Sequence, residues 1–241
     1  MEPRAHSPMP GRWRAALMVL PWLGIGAYAL AAARLPPEAL HWLVVSEQGP
    51  VEIGTAACFG AAGLLGAGLA ARTRGIVPAP VRILYWLFAA GALFAGLEEI
   101  SYGQHFLGWE SPRWFAEQNA QQETNLHNLF ADRPGRAMRN LALVAIALGG
   151  IVVPAMAMRT PGAYERGRWA HSLLPRGELI PLAGGMLLMR VFRTLPGHVR
   201  AGWDLGLIEV MELYLAVAAV VYVVVLRRRL LVPRGPKPPG A

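Results

Sequence analysis

The sequence predicts an all-α protein, a polytopic transmembrane helical bundle of about six helices in three hairpins. Hydrophobic residues make up 54% of the chain and charged residues 16%, whereas a soluble domain carries about 25% charged residues. The apolar residues fall into six runs nearly free of charge. Lipid offers the backbone no hydrogen-bond partners, and the runs lack the alternation of barrel strands. We therefore expect them to cross the membrane as helices.

The six runs differ in length. They are Ala15–Ala33, Ile53–Ala71, Ile83–Leu97, Asn140–Met158, Leu179–Met189 and Leu205–Leu226. Four of them reach the roughly 17–25 residues that span a bilayer as a helix, whereas the third and fifth need flanking segments. The second run is rich in glycine and alanine, which let helices approach closely in lipid, so we expect it to be central.

The distribution of basic residues predicts the orientation. Fifteen of the 23 Lys and Arg residues lie in the two tails and in segments 72–82 and 159–176. The positive-inside rule places these segments in the cytoplasm. The predicted organisation is a cytoplasmic tail over 1–14, a transmembrane domain over 15–229 and a disordered cytoplasmic tail over 230–241. The excess of Arg over Lys suggests a GC-rich bacterial genome, and hence the bacterial cytoplasmic (inner) membrane.

The net charge of +8 does not indicate nucleic-acid binding, because the basic residues cluster at the ends of apolar runs, as membrane anchors do. The single cysteine, Cys58, excludes a disulfide framework within one chain. The partner that the sequence implies is the lipid bilayer, and it identifies no protein partner.

An outer polar segment over residues 98–136 carries most of the candidate chemistry. Its candidate catalytic residues are Glu98, Glu99, His105, Glu123 and His127. Ionisable groups near the membrane interior are costly unless paired or hydrated, so they mark functional sites. Ser111 and Pro112 predict the N-cap and first turn of a short interfacial or re-entrant helix that reaches about Gln121, between the third and fourth spanning helices.

The spacing of these groups favours a divalent metal site. If the third helix continues, Glu98, Tyr102 and His105 lie at i, i+4 and i+7 on one face. Carboxylate and imidazole ligands from helical bundles bind metals, and the mixed oxygen and nitrogen set suits zinc, manganese or iron. The predicted ligands are Glu98, His105, Glu123 and His127. The alternative is a plug in which these groups hydrogen-bond to one another and to the amides.

Further polar side chains are candidate substrate-binding residues: Gln104, Asn125, Arg190, Arg193, Glu209 and Glu212. The two arginines and the two glutamates each stand at i, i+3, in the fifth and sixth predicted helices. Folding of that hairpin brings the pairs together, so a structural ion-pair ladder is the alternative. The arginines are also suited to an anionic headgroup or phosphate.

Two short sequence patterns resemble patterns found in other membrane proteins. EEISYGQ at 98–104, followed by NLHN at 125–128, resembles segments of bacterial polytopic membrane proteins with no named functional family, and it implies no activity. The Glu98-Glu99 pair resembles the start of the motif of intramembrane CAAX-processing proteases. Gly103 stands where that motif has Arg, and Ser101 stands where it has Phe, so only the two glutamates match.

Three functions fit these features. The first is a metal-assisted enzyme acting on a lipid or lipid-linked substrate near the extracytoplasmic face. The second is a transporter or ion-coupled permease, favoured by acids inside the membrane. The third is a non-catalytic membrane subunit or assembly factor, in which the polar segment is a docking plug.

Overall fold

The computed structural model describes residues 10–119, 122–126, 129, 144, 147–160, 162–165, 167–175, 177–195 and 205–231. In these residues all regular structure is helical. The helices are α1 Gly11–Arg34, α2 Pro37–Val44, α3 Pro50–Arg72, α4 Ala79–Glu99, α5 Gln104–Leu107, α6 Arg113–Gln118, α7 Val153–Arg159, α8 Trp169–Leu173, α9 Ile180–Phe192 and α10 Leu207–Leu231. A 3₁₀ turn at Ser101–Gly103 precedes α5, and a π turn at Leu148–Val152 leads into α7.

Four of these helices are long and apolar enough to cross a membrane: α1, α3, α4 and α10. The shortest, α4, has 21 residues, which at ~1.5 Å per residue match the ~30 Å hydrocarbon core. Residues Leu148–Arg159 and α9 form apolar helices that are shorter. The chain is therefore an all-helical membrane protein, whereas the number of six spanning helices and their pairing into hairpins stay predictions.

Helix α3 lies at the centre of the bundle, packed against both α4 and α10. A Cβ atom added to Gly63 would lie 2.5 Å from the Leu93 side chain. One added to Gly96 would lie 3.1 Å from the carbonyl oxygen of Ala56. Only glycine allows the α3 and α4 backbones to approach this closely, which confirms the predicted central position of the glycine-rich run.

The two ends of the bundle differ in chemistry. At the end named here the polar end, α3 and α10 begin and α4 finishes, and α2, α5, α6 and residues 122–126 lie there. At the opposite end, named here the arginine end, α3 finishes with Arg72 and α10 with Arg227, Arg228 and Arg229. Large apolar side chains are exposed along the spanning helices between the two ends, as expected for surfaces that contact lipid.

The polar segment departs from its expected form in two ways. Helix α4 ends at Glu99, and Ser101 and Tyr102 have positive φ angles of 45° and 55°. The third helix therefore does not continue to residue 105, because the chain turns sharply here, and Glu98, Tyr102 and His105 do not share one helical face. The predicted short helix exists as α6, but its N-cap is Pro112, and the Ser111 hydroxyl donates instead to Gln104 at 3.1 Å. Helix α2 was not predicted.

Several predictions fall on residues outside the described ranges. They include His127, residues 140–143, 145 and 146 of the predicted fourth spanning helix, and residues 1–9 and 232–241 of the predicted tails.

Candidate metal centre

Three ionisable side chains converge at the polar end, each from a different part of the chain. Glu47 lies between α2 and α3, His105 lies in α5, and Glu123 lies after α6. His105 Nε2 is 2.8 Å from Glu123 Oε1 and 3.5 Å from Glu47 Oε2. One ligand atom from each residue lies within 4.8 Å of the other two, and among the described residues no other such group of His, Cys, Asp or Glu is found.

Two glycines place His105 in this group. Helix α5 is four residues long and is bounded by Gly103 and Gly108, with φ angles of 83° and 68°. Glycine adopts this left-handed conformation without steric cost, so the chain can reverse on both sides of the short helix. Ser101 and Tyr102 adopt positive φ despite carrying side chains, and backbone strain of this kind concentrates at functional sites.

Glu123 is held rigidly and is 5% exposed. Its Oε2 accepts hydrogen bonds from Ser101 Oγ and Asn125 Nδ2, both at 2.8 Å. The Asn125 side chain is fixed in turn, because Asn119 Nδ2 donates to its Oδ1 at 2.8 Å. These bonds orient the carboxylate so that Oε1 faces His105, as outer-shell partners orient metal ligands.

Two other predicted site residues hold the 122–126 segment in place. Glu98 Oε2 accepts the Leu126 N–H at 2.7 Å, and Gln104 Oε1 accepts the Thr124 N–H at 3.0 Å. The Tyr102 hydroxyl donates to Glu98. Burial and this hydrogen bond raise the pKa of Tyr102 to about 12. Glu98 and Gln104 thus tie the end of α4 and the start of α5 to the segment that carries Glu123.

Glu47 differs from Glu123 in its surroundings. Its Oε2 atom is buried and has no hydrogen-bond partner among the described residues. Burial, together with the hydrogen bond and charge of Glu123, raises the pKa of Glu47 to about 8. A carboxyl group in this state is stabilised by a bound proton or by a cation.

A cavity of about 430 Å³ opens beside the three residues. It is lined by His41, Val45, Ser46, Gln48 and the three converging side chains. A small molecule or a lipid headgroup therefore has room next to the ligand atoms.

The three residues fit a divalent metal. Ligand atoms ~2.1 Å from a tetrahedral metal lie ~3.4 Å apart, which matches the 3.5 Å between His105 and Glu47. The 2.8 Å between His105 and Glu123 is a hydrogen-bond distance, and this pair would separate by roughly 0.6 Å on metal binding. One nitrogen and two carboxylate ligands suit zinc, manganese or iron. Three protein ligands beside a cavity leave a coordination position for water or substrate, as in catalytic metal sites.

Comparisons with known proteins assign no activity to this site. No protein-family model, curated protein or solved structure matches the chain. This agrees with the resemblance of residues 98–104 and 125–128 to membrane proteins with no named functional family.

The structure brings together part of the predicted ligand set. His105 and Glu123 belong to the group, whereas Glu98 is engaged with Tyr102 and Leu126. Glu47, which the sequence did not single out, completes it. The sequence signal that could have pointed to Glu47 was the excess of acidic residues on the outer side. Because helix α2 was not predicted, the prediction could not place Glu47 near residue 105.

The remaining predicted residues form a second set nearer the membrane interior. Glu99 interacts electrostatically with Glu52 and with Glu212. Glu209 interacts electrostatically with Arg193 and His41. Arg190 lies half-buried in α9. Glu52 was not predicted as a site residue, although it interacts electrostatically with both Glu209 and Glu123 and so connects the two sets.

Proposed function

We propose that this protein binds a divalent metal through Glu47, His105 and Glu123 and catalyses a hydrolysis or group transfer on a lipid or lipid-linked substrate. The observation that carries the proposal is the convergence of these three side chains beside a cavity, with a buried Glu47 oxygen that lacks a hydrogen-bond partner. Zinc, manganese and iron are the metals that this donor set favours.

The position of the cavity supports the substrate class. It lies where spanning helices end, and exposed aromatic side chains surround this end of the bundle, including Trp42, Phe106 and Trp114. Aromatic residues of this kind sit at the depth of lipid headgroups. A headgroup or the linkage of a lipid-borne group would therefore meet the site without leaving the membrane. The positive-inside rule places the polar end outside and both termini in the cytoplasm.

The residues of the site have distinct roles in this proposal. A bound metal would polarise a substrate oxygen and lower the pKa of bound water. Glu47 carries the proton that the metal displaces, at a carboxyl group whose pKa is about 8. Asn125 and Ser101 orient Glu123, and His41, Ser46 and Gln48 offer hydrogen bonds to a polar headgroup from the cavity wall.

The experiment that tests the proposal is metal analysis of the purified protein after incubation with zinc, manganese or ferrous iron. We expect a stoichiometric divalent metal in the wild type and its loss in Glu123→Gln and Glu47→Gln. Glu117→Gln is the matched control, because Glu117 lies near the same end and pairs with Arg113 on an exposed surface. Absence of bound metal from the folded wild type, or equal binding by all variants, would refute the metal centre.

A second candidate function is ion-coupled transport. It is favoured by the carboxyl groups of Glu52, Glu99 and Glu212, which continue from the metal centre toward the membrane interior. Neighbouring carboxyl groups at the end of a helical bundle are suited to proton exchange. Proteoliposome flux measurements with Glu99→Gln test it, and flux that is unchanged by this substitution would exclude it.

A further inference from the structure

A second cavity, of about 360 Å³, lies apart from the metal centre. Its walls come from α4, the π turn before α7, the end of α8, and helices α9 and α10. The lining is apolar, as shown by Phe88, Leu179, Met186, Leu215 and Ala219. The Tyr222 hydroxyl, a polar group of the wall, donates to the Leu173 carbonyl oxygen at 3.0 Å. Among the described lining residues, Tyr222 carries the one polar side chain, and none is charged.

The depth of the cavity decides which apolar molecule can enter it. Phe88 lies near the middle of α4, and Leu215 and Ala219 lie near the middle of α10, so the cavity is within the hydrocarbon region. Helix α9, which lines the cavity, has 13 residues and is shorter than the four spanning helices. At this depth the surrounding material is lipid acyl chain.

Positive charge lies toward the arginine end of the same cavity. The Arg229 guanidinium donates to the carbonyl oxygens of His171 and Leu174, and Leu174 is itself part of the cavity wall. Arg227 and Arg228 precede it at the end of α10. Basic clusters between helices at a membrane surface bind anionic lipid headgroups.

We propose that this cavity binds an acyl chain of an anionic glycerophospholipid whose phosphate lies toward the arginine end. The volume is within the range of roughly 300–1,000 Å³ that holds small ligands. The site is independent of the metal centre, because none of its lining residues belongs to that group. A lipid held here would fill the space between α10 and the short α9.

Photocrosslinking in proteoliposomes tests this proposal. The probe is phosphatidylglycerol that carries a diazirine in one acyl chain, and peptide mass spectrometry locates the crosslinks. We expect crosslinks at Leu179, Met186 and Leu215, at higher yield than at the exposed residues Leu87 and Leu188 of the same region. Unlabelled phosphatidylglycerol should compete more strongly than phosphatidylcholine with the same chains, because the basic cluster favours an anionic headgroup.

Substitutions that fill the cavity provide the control. Ala219→Phe and Leu179→Trp should each lower crosslinking of the other lining residues by about tenfold, since the larger side chain occupies the site of the lipid chain. Ala90→Phe, on an exposed face of α4, should leave it unchanged. Uniform labelling of exposed and lining residues, or equal labelling in the filled variants and the wild type, would overturn the proposal. Equal competition by the two lipids would refute the proposed preference for an anionic headgroup.

Discussion

Asn125 gives the sharpest test of how the metal centre is organised. It is 1% exposed, and its amide donates to Glu123 Oε2 at 2.8 Å and to Ser101 Oγ at 2.9 Å. Asn125→Ala removes both bonds while leaving all three proposed ligands intact. Glu123 then keeps only the Ser101 hydroxyl on Oε2 and can turn away from His105.

The expected loss of zinc affinity follows from losing the hydrogen bond that Asn125 donates to the Glu123 carboxylate. A hydrogen bond to a charged group contributes about 1.5–3 kcal/mol, and outer-shell substitutions weaken metal binding by about 10- to 100-fold. We therefore expect Asn125→Ala to weaken zinc affinity by about 10- to 100-fold. The assay is competition with a zinc-chelating dye in detergent solution, with thermal unfolding measured in parallel to verify that the variant is folded.

The matched control is Gln118→Ala, which removes an exposed amide close to the same segment. Its affinity for zinc should equal that of the wild type. A folded Asn125→Ala protein with wild-type affinity would refute the reasoning, because it would mean that the orientation of Glu123 does not determine metal binding.

Three further predictions concern pH, chelation and packing. Because the pKa of Glu47 is raised from 4.5 to about 8, metal must displace its proton below that pH. Zinc affinity of the wild type should therefore rise by up to about tenfold per pH unit between pH 6 and 8, and dye titrations at several pH values measure this. A chelator should lower the thermal unfolding midpoint of the metal-loaded wild type but not that of Glu123→Gln, and equal shifts would contradict the ligand assignment. Gly63→Ala should destabilise the bundle by about 1–3 kcal/mol, because the added Cβ meets Leu93, whereas Gly60→Ala, with open space around it, should not. Equal unfolding midpoints for these two variants would contradict the close packing of α3 and α4.

The helical architecture was largely accessible from the sequence. The runs Ala15–Ala33, Ile53–Ala71 and Ile83–Leu97 lie within α1, α3 and α4, because the absence of charge and the length of a run determine what can cross lipid. The central position of α3 followed from its glycines. The helix boundaries that differ from the expected ones lie at the polar end, where hydropathy no longer constrains the backbone.

Only part of the candidate metal centre could be predicted from the sequence, because its geometry depends on an unusual local backbone conformation. The chemistry of His105 and Glu123 identified them, but their geometry depends on positive φ angles at Ser101 and Tyr102, which those residue types rarely adopt. The shared face of Glu98 and His105 depended on a continuous helix, which these φ angles interrupt. Glu47 lies in a turn that is distant in sequence, and the packing of α2 and α3 brings it close to His105 and Glu123. Nothing in its local sequence signals that contact.

All three proposed ligands lie outside the four helices that are long enough to span the membrane. Burial of those helices in lipid does not require the metal, since their stability comes from contacts among apolar and small side chains. In the proposed function, insertion and metal loading would thus be separable steps, and a chain already in the bilayer could acquire its ion afterwards from the aqueous side. A cell short of the metal would then accumulate a folded but unloaded protein, which later supply of the metal could load without new synthesis.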